Sequence, residues 1–70
     1  MNYAFEMYVR LFASALAHAD DVNGWTAEKL EEIATKNHVA DGYFSFDGIL
    51  DDLTELTGSE DIAAAILNNA

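Results

Sequence analysis

Seventy residues set this chain in the single-domain range, and a 51% hydrophobic content keeps it out of the disordered class despite its charge. Thirteen carboxylates stand against three Lys and Arg side chains, a formal net charge of −10. That charge argues against direct binding to DNA, RNA or an anionic membrane and favours basic surfaces as partners. The absence of Cys excludes disulfides and thiolate metal sites and fits a cytoplasmic location.

Charge is distributed unevenly. Twelve carboxylates fall between Asp20 and Asp61, where Lys29 and Lys36 are the only Lys or Arg residues, while positions 1–19 carry Glu6 and Arg10 alone. A domain this small buries only roughly 60% of the surface its unfolded chain exposes. So large an apolar fraction over so little interior points to self-association or to an apolar patch for a partner.

No Pro interrupts the chain, and its β-branched residues never alternate, so the spacing predicts helices throughout. The first helix is expected over Asn2 to His18, with Asn2 as its N-cap. Glu6, Arg10 and Ser14 recur at i, i+4, i+8 as one narrow polar stripe, and Glu6 is placed for an ion pair with Arg10. Every other side of the helix is apolar, which suits the centre of a bundle or a dimer seam. The first helix is therefore expected to be central, with Phe5, Tyr8, Leu11 and Phe12 as candidates for self-association and a homodimer as the outcome. The apolar run from Tyr3 to Ala19 is broken by Glu6, Arg10 and Ser14 and has no basic lead, so neither a signal peptide nor a transmembrane span is expected.

Asp20, Asp21, Asn23 and Gly24 read as a turn, and Thr26 as the N-cap of a second helix over Ala27 to Lys36. Its apolar face is expected to be Trp25, Leu30, Ile33 and Ala34, with Glu28, Glu31 and Glu32 on the opposite face. Asn37 to Phe44 reads as an irregular stretch turning at Asp41-Gly42. Ser45 or Asp47 then caps a third helix reaching Leu56, with Phe46, Ile49, Leu50, Leu53 and Leu56 inward and Asp51, Asp52 and Glu55 outward. Gly58 ends it, and Ser59 caps a short last helix whose Ile62, Ala65, Ile66 and Leu67 point inward. The expected fold is all-α: one acidic domain over residues 1–70, a compact bundle of three main helices plus a short C-terminal one.

The segment Asp41-Gly42-Tyr43-Phe44-Ser45-Phe46-Asp47 resembles the second half of an EF-hand calcium loop entering its exit helix. In that register the first and third ligand positions fall on Asn37 and Val39, and the position of the bidentate Glu falls on Gly48. A capped helix start explains the segment, and no metal or other cofactor is expected. His18 and His38 are the only imidazoles; His18 stands at ligand spacing from Asp21, and that pair straddles a helix end. Ser14, Ser45 and Ser59 have no adjacent His or Lys base. The chain is therefore read as non-enzymatic, with no catalytic residues.

What remains is the acidic surface. Glu28, Glu31 and Glu32 are spaced i, i+3, i+4, and Asp52 and Glu55 i, i+3, arrangements that cost a helix a few tenths of a kcal/mol per like-charge pair. One reading is a solvated face, or an adaptation to salt, that keeps an apolar protein soluble. The other is an array of carboxylates that imitates a nucleic-acid backbone and offers partner Lys and Arg charge-assisted hydrogen bonds. Candidate partner-binding residues are Asp20, Asp21, Glu28, Glu31, Glu32, Asp41, Asp47, Asp51, Asp52 and Glu55, with Tyr43 as an exposed aromatic anchor. In size, acidity and lack of catalytic groups the chain resembles the small inhibitors carried by phages and mobile elements. That resemblance implies an anti-restriction or anti-CRISPR protein, a DNA mimic bound to the basic surface of a nucleic-acid-binding protein. The alternative is a small helical adaptor that dimerises or docks through its apolar first helix.

Overall fold

Four α-helices and one 3-10 turn make up the computed structural model, which describes residues 3–18 and 27–70: α1 (Tyr3–Ala17), α2 (Ala27–Lys36), the 3-10 turn (Val39–Asp41), α3 (Phe46–Thr57) and α4 (Glu60–Asn68). The bundle is all-α, with no strand among the described residues. Asn2, the turn residues Asp20, Asp21, Asn23 and Gly24, and Trp25 and Thr26 lie outside the described residues.

α3 and α4 form the most extensively packed pair, a helical hairpin closed by Gly58 and Ser59. Gly58 sits at φ 73°, and its N–H reaches the Thr54 carbonyl, so the left-handed residue stops α3 and turns the chain. Ser59 then accepts from the Ile62 N–H as the N-cap of α4. Thr57 fixes the turn from inside: its Oγ1 accepts from the Ser59 N–H and donates to the Ser59 carbonyl. At the other end of α3 the N-cap is Ser45, whose Oγ accepts from the Gly48 N–H, and not Asp47.

The core runs through this hairpin. Ile49, Leu53 and Ala63 are fully buried, and Leu11, Ala15, Leu30, Ile33, Ile66 and Leu67 close around them. Ala63 takes the inward place expected for Ala65, because burial follows the i, i+3, i+4 set Ala63, Ile66, Leu67. Phe46 was expected inward but is half exposed, its ring edge-on to Phe44 at 5.5 Å. The reason is length: α4 has nine residues against twelve in α3, so it ends before reaching the first turn of its partner.

α1 is not central. It packs one face, Ala4, Met7, Leu11, Ser14 and Ala15, onto the other helices and leaves Tyr3, Phe5, Val9 and Leu16 exposed. The polar stripe expected on it is split. Glu6 and Arg10 pair at 3.3 Å in solvent, whereas Ser14 is buried and donates to the Ile66 carbonyl at 2.6 Å. Ile66 lies in the last turn of α4, where carbonyls have no partner within the helix. Ser14 satisfies one of them, and the Asn69 and Ala70 N–H groups reach Ala65 and Leu67. That hydrogen bond lets a polar residue share the inward face with Ala4, Met7, Leu11 and Ala15.

The stretch expected to be irregular holds a structural latch. α2 ends as His38 adopts a left-handed conformation at φ 57°, and the 3-10 turn then buries Val39 before Gly42 turns at φ 95°. Asn37 donates through Nδ2 to the Ile33 carbonyl at 2.8 Å and to Asp52 Oδ2 at 2.7 Å, tying the end of α2 to α3. A Cβ on Gly48 would stand 2.5 Å from Asn37 Oδ1. Gly48→Ala is therefore expected to destabilise the fold by about 1–2 kcal/mol, because displacing the Asn37 amide outweighs the helix-propensity gain. Thermal melts check this by a change of sign: in an Asn37→Ala background the same substitution should raise the melting temperature.

Candidate acidic interaction surface

The outward side of α2 carries Glu28, Glu31 and Glu32, all exposed. On α3, Asp47, Asp51 and Glu55 are exposed at i, i+4, i+8 and form one row, with carboxylates about 6 Å apart along the axis. Glu31 lies toward Tyr8 of α1, whereas Glu32 of α2 and Glu55 of α3 meet where the two helices pack. Between them runs a groove of about 270 Å³, lined by Lys29, Glu32, Lys36, Asp52 and Glu55 around Ile33 and Leu56.

Asp52 belongs to the groove and not to the outer row. Its side chain is only 12% exposed, bonded to Lys36 Nζ at 3.0 Å and to the Asn37 amide. The helical periodicity that made it look outward does not register that α2 packs alongside it. The Asp52 hydrogen bond, its charge and that of Glu55 together raise the Lys36 pKa. Burial, then the charge of Glu31, raises that of Tyr8. Both groups hold their proton more tightly in the folded chain. Their contribution is thus intact below about pH 10 and lost as pH rises through the folded values.

Asp41 is exposed and approaches His38 Nδ1 at 3.3 Å. Tyr43 is 67% exposed, and with Phe46 it places two aromatic side chains in a tip that also carries Asp41 and Asp47. Phe46 was missed as a surface residue because its spacing matches the core positions of α3. Asp20 and Asp21 lie outside the described residues. Of the self-association candidates, Phe5 is exposed, Tyr8 and Phe12 are half-buried with their rings edge-on at 6.4 Å, and Leu11 is 1% exposed. Leu11 is a core residue of its own chain and offers nothing to a second copy.

Among the described residues no three His, Asp or Glu side chains are grouped to hold a metal ion. In the EF-hand register, the Asn37 amide is bonded to Ile33 and Asp52, and Gly48 lies in the first turn of α3. Calcium at millimolar concentration is expected to shift the melting temperature no more than magnesium at equal ionic strength. A calcium-specific rise at about tens of micromolar, within the range of sensor sites, would reinstate a loop site. No helix of the described residues is long and apolar enough to cross a membrane. No protein-family model matches the sequence, and no curated protein or solved structure matches it significantly.

Proposed function

We propose that this chain is a non-enzymatic binding protein that occupies the basic nucleic-acid channel of a larger protein. In this reading it is an inhibitor of nucleic-acid-handling defence machinery, such as a restriction or CRISPR effector, borne by a phage or mobile element. The observation that carries the reading is the pair of carboxylate rows on α2 and α3. Six exposed side chains make up the rows, Glu28, Glu31 and Glu32 on α2 and Asp47, Asp51 and Glu55 on α3, and Glu32 and Glu55 line the groove where Lys36 is already engaged by Asp52. Surfaces that bind nucleic acid present Lys and Arg at matching density, and carboxylates held on rigid helices meet them with charge-assisted hydrogen bonds. Ile33 and Leu56 in the groove suit the aliphatic stems of those long side chains. Tyr43 supplies an aromatic anchor at the acidic tip.

The test is capture on immobilised protein at low salt, elution with salt, and identification of what elutes. Nucleic-acid-binding proteins released between roughly 0.1 and 0.5 M NaCl are expected, because exposed ion pairs are screened within ~8 Å at physiological ionic strength. Retention that is indifferent to salt would argue for docking through an apolar face.

A further inference from the structure

The exposed side of α1 has a pattern of its own. Phe5, Val9, Phe12 and Leu16 are spaced four, three and four residues apart, the rhythm of an a/d seam in a two-helix pair. Phe5, Val9 and Leu16 are more than half exposed, and Phe12 packs on the core with part of its surface still open. On its α2 side the stripe borders a shallow apolar groove formed by Phe5, Tyr8, Ala34, Thr35, Val39 and Ala40.

We infer that this stripe is the seam of a homodimer, in which α1 of one copy packs against α1 of a second. Charge selects the occupant. Two molecules of net charge −10 repel each other, and that repulsion costs least where faces poor in carboxylates meet. α1 carries a single one, Glu6, and Arg10 neutralises it. A basic partner is drawn instead to α2 and α3. The four-three-four spacing also fits a copy of itself, as an isologous two-fold contact requires. A 15-residue helix is about 22 Å long. Pairing two such stripes with their flanks buries on the order of 1,000 Å², near the lower limit for a specific interface, so association in the micromolar range is expected.

The inference does not rest on the nucleic-acid-mimic reading, and it has an opposite salt signature. Added salt weakens attraction to a basic partner but screens the repulsion between two acidic copies. Sedimentation equilibrium on the intact protein, from about 10 µM to 500 µM, is the test. A dimer mass should appear as concentration rises, with a dissociation constant roughly tenfold tighter at about 0.5 M than at 0.05 M NaCl. Val9→Glu and Leu16→Glu should each give a monomer of unchanged helicity, and Glu31→Lys with Glu32→Lys should dimerise at least as well as the parent. A monomer throughout that range at both salt concentrations overturns the seam. So does a dimer that persists in both stripe variants, or unfolding of both variants, which would show the stripe packed within its own chain.

Discussion

Leu11→Glu is expected to leave no folded protein. Leu11 is 1% exposed and belongs to the core cluster with Leu53, Ile49 and Ile66. Truncating a buried Leu costs about 2–5 kcal/mol by itself, and an unpaired buried carboxylate adds several more. A single core at this size rarely supplies more than about 3–5 kcal/mol, so the sum exceeds what is available. Far-ultraviolet circular dichroism should show the helical signal lost at 25 °C. Val9→Glu, two residues away on the opposite face, should retain it. A helical Leu11→Glu protein would mean that α1 is not seated as described.

The second large effect concerns affinity. Reversing two neighbours on α2, Glu31→Lys with Glu32→Lys, changes the charge of its exposed face by four units, Glu32 lining the α2–α3 groove. Exposed pairs contribute about 0.2–1 kcal/mol each, and reversal replaces attraction by repulsion, so a loss of about 2–3 kcal/mol, some 30- to 150-fold, is expected at low salt. Asp47→Lys with Asp51→Lys tests the α3 row in the same way. Neither pair touches the core: all four side chains are exposed. The melt of the α2 variant should be unchanged or slightly raised, because Glu28, Glu31 and Glu32 repel one another at i, i+3 and i+4. Unchanged binding with both rows reversed would leave the acidity with no role beyond solubility.

Local signals in the sequence carry information on the fold unequally. The bounds of α2, the Ser45 and Ser59 caps and the stop at Gly58 are legible because each depends on a few adjacent residues. The orientation of α1 is not legible, because a helix apolar on nearly every side has no preferred inward face. Its inward face, Ala4, Met7, Leu11, Ser14 and Ala15, is set by tertiary contacts, among them the Ser14 hydrogen bond to the Ile66 carbonyl 52 positions away. Phe46 obeys the core spacing of α3 but falls beyond the reach of the shorter α4. Asp52 reads as a surface acid until Lys36 and Asn37 arrive from α2. The acidic rows themselves were visible as spacing on each helix. That Glu32 and Glu55, one from each helix, meet across a single groove is a tertiary fact.

The most direct measurement of whether those rows act as a nucleic-acid surrogate is displacement. A nucleic-acid-binding protein captured on the immobilised chain at about 0.1 M NaCl would be challenged with duplex DNA, with single-stranded RNA, and with polyglutamate at equal charge concentration. If the carboxylates of α2 and α3 occupy the basic channel, one of the nucleic acids should release the captured protein far more effectively than polyglutamate, and Glu31→Lys with Glu32→Lys should fail to capture it. Release that depends on charge concentration alone, or capture that survives both nucleic acid and charge reversal, would contradict the reading.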